Sequence, residues 1–169
     1  ILIAVLVLIV GAIYFINKNS VIRTGSNESV TISPRTISQQ SGMNKEEKSK
    51  RYELAKEITT PDGFINTDTI SVSEFIGKKV VLIDFWTYSC INCQRTTPYL
   101  NAWYEKYRNK GLEIVGVHTP EFEFEKVYAN VAQAVKKFAI QYPVVLDNDY
   151  GTWNAYENRY WPRKYLIDI

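Results

Sequence analysis

Cys90 and Cys93 are the only cysteines in the chain, and Ile91 and Asn92 separate them. Two thiols at that spacing close a small disulfide ring and reopen it, which moves an electron pair without a cofactor. The apolar run Val80–Phe85 reads as a buried strand that leads through a loop to a helix starting at the cysteines. A helix N-terminus carries unpaired N–H groups and a partial positive charge, and both favour a thiolate. Thiols in such places ionise at roughly pH 3.5–7.5 instead of about 8.5. Cys90, at the helix edge, is therefore expected to attack. Cys93, one turn further in, is expected to be buried and to resolve the intermediate. A zinc site wants about four ligands, and His118 is the only histidine available to join the pair, so no metal is expected. A permanent disulfide across two residues would close too short a loop to constrain the unfolded chain much. Redox exchange is the reading that a strand followed by Cys-x-x-Cys in an α/β pattern supports.

The elements that must hold this pair are legible on either side of it. Pro61-Asp62-Gly63 marks a turn into a short strand, Gly63–Asn66. Ser71–Ile76 suits one helical turn stopped by Gly77. Val80–Phe85 is apolar nearly throughout, as a central parallel strand covered on both faces requires. The helix after Cys90 should run to about Asn109, with Gly111 as its stop and a kink at Pro98. Leu112–Val117 reads as a second buried strand. Glu123–Tyr142 reads as a helix carrying Val127, Val131, Val135 and Phe138 on one face. Pro143–Leu146, Tyr150–Tyr160 and Tyr165–Ile167 follow as strand, short helix and strand. Strands alternating with helices predict an α/β fold, a mixed central sheet with helices on both faces.

The rest of the chain reads differently. Ile1–Ile16 is an apolar run that would span about 24 Å as a helix, against a hydrocarbon core of roughly 30 Å. It is expected to be a transmembrane anchor or a signal segment (residues 1–16), and the absence of a clear cleavage site favours the anchor. Residues 17–55 are polar and read as a flexible linker with an end-to-end distance of roughly 30–40 Å, with a short exposed helix or more linker over Asn44–Lys56. The folded domain is expected over 56–169. The expected location is the cell membrane, single-pass, with the domain on the extracytoplasmic side. A net charge of +2 gives no electrostatic reason to expect nucleic acid as a partner.

Several separated stretches carry a family resemblance. They are Phe85-Trp86-Thr87-Tyr88-Ser89-Cys90-Ile91-Asn92-Cys93-Gln94-Arg95-Thr96, Gly116-Val117-His118-Thr119-Pro120-Glu121-Phe122, Trp153-Asn154-Ala155-Tyr156, and Arg159-Tyr160-Trp161-Pro162. Together they resemble the thioredoxin superfamily, and more narrowly its TlpA-like branch with DipZ-type domains. The resemblance implies a thioredoxin-like fold in which Asp84 is a buried acid beneath the disulfide that assists proton transfer at the inner thiol. Burial raises a carboxyl pKa, which suits that task. It implies that Pro98 kinks the active-site helix. It implies that Pro162 is a cis-proline facing the disulfide, with the Trp161 backbone beside it pairing with an extended substrate. Trp86 is expected to cover the disulfide and to take part in substrate binding with Trp161 and Pro162. His118, at a strand end on the ligand side, is expected to be structural or to tune the thiolate, and Glu121 to help shape the site.

Two departures qualify the resemblance. Ile91-Asn92 is neither Gly-Pro nor Pro-His, so with superfamily potentials spanning about −270 to −120 mV the direction of electron flow stays open. The further antiparallel strand and closing helix with which the fold ordinarily continues are not found after Tyr165–Ile167, whose edge would then be exposed. The expected function is a membrane-anchored thiol–disulfide oxidoreductase that reduces protein disulfides, with a membrane thiol transporter as electron donor and secreted proteins or apocytochromes as substrates. A redox-inert peptide-binding module and a thiol peroxidase-like enzyme are the alternatives.

Overall fold

The computed structural model describes residues 45–168. The expected anchor (1–16) and most of the linker lie outside them. Helix α1 (Lys45–Arg51) opens the described chain with acids in its first turn and bases in its last, the arrangement that the helix dipole favours. Five strands follow, β1 (Gly63–Ile65), β2 (Val80–Trp86), β3 (Leu112–His118), β4 (Val144–Leu146) and β5 (Arg163–Ile167). They form one sheet in the order β1-β4-β3-β2-β5. β2, β3 and β4 are parallel, while β1 and β5 run antiparallel to β4 and β2. The sheet is mixed, as the sequence predicts.

Side chains on β2 alternate between two cores, following the two-residue period of a strand. Leu82 and Trp86 enter one core with Leu100, Ile114, Val131, Val135 and Tyr142. Val81, Ile83 and Phe85 enter the other with Val115, Val117, Val145 and Trp153. Asp84 lies between Leu82 and Trp86 in register, so it faces the first core. There α2 (Ile91–Tyr107) lays Cys93, Thr97, Leu100 and Tyr104 against the sheet. Those positions recur at helical spacing. The helix runs through Pro98 into a tight turn at Arg108–Lys110, and Gly111 ends it with φ +92°, a conformation glycine adopts without strain. The Gly111 carbonyl then accepts the Val80 N–H at 2.8 Å.

The expected helix over Glu123–Tyr142 is shorter and broken. Glu123–Lys126 is a 3-10 turn, Val127 is extended, and α3 spans Tyr128–Lys137. Ala139 then takes φ +54°. Val131 and Val135 are buried as predicted, but Val127 is half exposed. The expected Tyr150–Tyr160 helix contracts to α4 (Gly151–Ala155). Asp147 holds its start, accepting the Thr152 and Trp153 N–H groups at 2.8 and 2.9 Å, and α4 covers the second core through Trp153. β5 is an edge of the sheet among the described residues, with Leu166 exposed. No helix of the described residues is long and apolar enough to cross a membrane.

Candidate functional site

β2 ends at Trp86, and Thr87-Tyr88-Ser89 turns the chain into α2. Cys90 is the residue that caps this helix. Its backbone is extended (φ −67°, ψ 114°), and its Sγ accepts the Cys93 N–H at 3.4 Å. A sulfur in this position gains from the N–H most when it is charged. Cys90 is partly exposed and Cys93 is 1% exposed; neither is bridged. Cys93 is thus the more buried thiol, as expected, and Cys90 the more accessible one. Thr96 and Thr97 both turn their hydroxyls back onto the Cys93 carbonyl at 3.0 Å. Such back-bonding bends a helix, and Pro98 next to it removes a helical N–H.

Burial pushes the Cys93 thiol up, and the Cys90 sulfur and the Asp84 charge push the same way. The inner thiol therefore keeps its proton until a base removes it. Asp84 lies beneath it, 2% exposed. Burial raises its pKa from 3.8 to about 6, against the pull of Lys164. Lys164 Nζ stands 2.8 Å from Asp84 Oδ1 and 3.5 Å from Thr96 Oγ1. Antiparallel register sets this pair, since Asp84 on β2 lies opposite Lys164 on β5. Tyr142 closes the same pocket: burial, Asp84 and Cys93 all push its phenol up, so it stays neutral. Sequence reasoning missed both Lys164 and Tyr142, because each reaches the pair only through sheet pairing and packing.

Trp86 is 2% exposed. Its indole lies edge-on to His118 at 5.1 Å and over Gly116, where an added Cβ would fall 2.9 Å from Nε1. It supports the site from below and offers a partner no surface, which corrects its assignment to substrate binding. The Trp161–Pro162 bond is cis. The Trp161 ring packs on Trp153 at 4.3 Å between the two cores.

His118 is fully buried, and burial lowers its pKa to about 4. It is neutral at physiological pH and supplies no charge to a thiolate. It stacks on Tyr88 at 5.6 Å, and its Nε2 accepts the Tyr88 N–H at 3.4 Å, so of the two expected roles its position fits the structural one. Glu121 points outward. The acid that turns inward is Glu125, three residues past the end of that motif; it is fully buried and takes hydrogen bonds from Ser89 and from the Glu121 and Phe122 N–H groups. Glu121, Glu123 and Glu125 alternate with phenylalanines, so the sequence offers no signal that selects one. Among the described residues no group of three or more His, Cys, Asp or Glu could hold a metal ion.

Such a pair can open a disulfide through its outer sulfur and close on itself through the inner one. Known proteins resemble this chain. Residues 52–169 match the AhpC/TSA family. Protein DipZ of Mycobacterium bovis is 52% identical over 118 residues, which are 65% of this chain and 17% of that protein. The chain thus spans less than a fifth of the DipZ proteins it matches. Thiol-disulfide oxidoreductase YkuV of Bacillus subtilis is 30% identical over 112 residues, covering 66% of this chain and 74% of that one. The solution structure of a thioredoxin-like protein in the oxidised form is 29% identical. It covers 66% of this chain and 75% of its own, with a TM-score of 0.61.

Proposed function

We propose, from the premise that this chain belongs to the AhpC/TSA family and to its TlpA/DipZ-type thioredoxin-like branch, that it is a thiol–disulfide oxidoreductase that reduces protein disulfides. One observation carries the reading: an accessible Cys90 whose sulfur is 3.4 Å from the N–H of a buried Cys93, with the buried Asp84 carboxylate beneath. The Cys90 thiolate attacks one sulfur of a partner disulfide, forming a mixed disulfide and expelling a partner thiolate. Cys93 gives its proton to Asp84. The Cys93 thiolate then attacks the Cys90 sulfur, closes the Cys90–Cys93 disulfide and releases the second partner thiol. The partner gains two thiols, and this chain becomes oxidised. A dithiol donor must reopen the ring.

The apolar run Ile1–Ile16 supports a single-pass anchor with the domain on the extracytoplasmic side. In that setting a membrane thiol transporter is the donor. Exported proteins, apocytochromes awaiting haem among them, are the substrates. Family relatives named thiol-disulfide oxidoreductases support the reaction type. The cis Trp161–Pro162 segment supports a docking place for an extended partner chain. The test is insulin reduction with dithiothreitol as donor. The chain should accelerate it, and Cys90→Ser should abolish the acceleration. A folded wild-type chain with no effect above the donor alone contradicts the reading.

A further inference from the structure

Glu125 has no task in the exchange just described, yet it is the most fully bonded buried carboxylate beside the reacting loop. Its Oε1 accepts the Ser89 hydroxyl at 2.5 Å and the Ser89 N–H at 3.3 Å. Its Oε2 accepts the Glu121 N–H at 2.6 Å and the Phe122 N–H at 3.0 Å. Burial alone would push this carboxyl up. The donors from Ser89, Thr87, Glu121 and Phe122 more than offset that and hold it below the usual carboxylate range. Ser89 immediately precedes Cys90, so one side chain fixes the position from which the nucleophile starts. The same 121–126 segment also holds Tyr88, whose hydroxyl donates to the Phe124 carbonyl at 3.2 Å. Held on Ser89, the residue before Cys90, this carboxylate's charge opposes the negative charge that the exchange places on the Cys90 sulfur. It has no such effect on the disulfide.

We propose that Glu125 is a positioning residue of the exchange: its buried carboxylate clamps Ser89, keeps Cys90 at the edge of α2, and weights the Cys90–Cys93 couple toward the disulfide. The dithiol is then the stronger electron donor, so the clamp sets the direction of flow that the dipeptide Ile91-Asn92 leaves open. This inference rests on the oxidoreductase reading and deepens it.

The test is the equilibrium of the Cys90–Cys93 couple with glutathione, measured on the full chain, on Glu125→Gln and on Ser89→Ala, with circular dichroism to verify folding. Glu125→Gln should move the exchange constant about tenfold toward the dithiol, which is about 30 mV less reducing. Ser89→Ala, at an exposed position, removes only the hydroxyl donor; it leaves the Glu125 charge less neutralised and should move the constant the opposite way, about threefold toward the disulfide. A folded Glu125→Gln variant with an unchanged constant overturns the proposal. If that variant does not fold, an unchanged constant in Ser89→Ala overturns it. A wild-type chain that equilibrates with glutathione but reduces no insulin overturns the oxidoreductase reading, and the glutathione shift then still decides the role of Glu125.

Discussion

Asp84→Asn removes a charge that the fold holds at a cost. Asp84 is 2% exposed, and its pKa is raised from 3.8 to about 6, burial outweighing the Lys164 ammonium 2.8 Å away. The native state thus binds this proton more tightly than the unfolded chain does. The stability that results is fully present below the unfolded pKa of 3.8 and is lost as pH rises through about 6. At about 1.4 kcal/mol per pKa unit, the loss by pH 8 is about 3 kcal/mol. Asparagine is neutral at every pH and escapes it. Urea denaturation at pH 8 should therefore find Asp84→Asn more stable than wild type by about 3 kcal/mol, with the two curves converging as pH falls to about 4. The same change takes the base away from Cys93. The resolving step, followed by stopped-flow release of a reduced partner, should slow by roughly 10²-fold or more. Equal stability at pH 8, or a gap that does not narrow on acidification, would refute the claim that Asp84 carries a buried, unfavourable charge.

Two other substitutions test the surroundings of the pair. Lys164→Met removes the ammonium that opposes burial at Asp84. A pair about 4 Å apart at an effective dielectric of 20 is worth ~4 kcal/mol, and roughly half of that survives for an ammonium that is partly solvated. The Asp84 pKa should climb from about 6 by more than one unit, and the pH midpoint of the resolving step should climb with it; an unchanged midpoint would contradict the pairing. Gly116→Ala places a Cβ 2.9 Å from Trp86 Nε1 and 3.1 Å from Tyr142 Cε2. The two rings must shift, at a loss of about 1–3 kcal/mol in thermal or urea unfolding, and a neutral result would contradict the tight contact beneath the site.

The parts of this site that sequence reveals are those whose chemistry is local. Cys90 and Cys93 announce themselves by spacing, β2 by its apolar run, and the stop of α2 by Gly111. Parts made by distant segments are hidden. Lys164 meets Asp84 only because β5 pairs antiparallel with β2, and nothing in the residues between them states that register. Glu125 is buried while Glu121 faces outward, though both are acids in one alternating Glu-Phe stretch. A 3-10 turn at Glu123–Lys126 makes that choice, and helical periodicity passes over it. The same turn, with extended Val127, is why a helix predicted from Glu123 begins only at Tyr128. His118 is placed correctly at a strand end by sequence. Its neutrality comes from complete burial, a tertiary property.

The division of labour between the two sulfurs is tested most directly by Cys93→Ala, incubated with a protein disulfide such as insulin and run on a non-reducing gel. Without the buried thiol, the intermediate formed through Cys90 should accumulate as a covalent adduct, and dithiothreitol should release it. A folded Cys93→Ala chain that forms no adduct, or an adduct that persists after Cys90→Ser is added, would contradict the account.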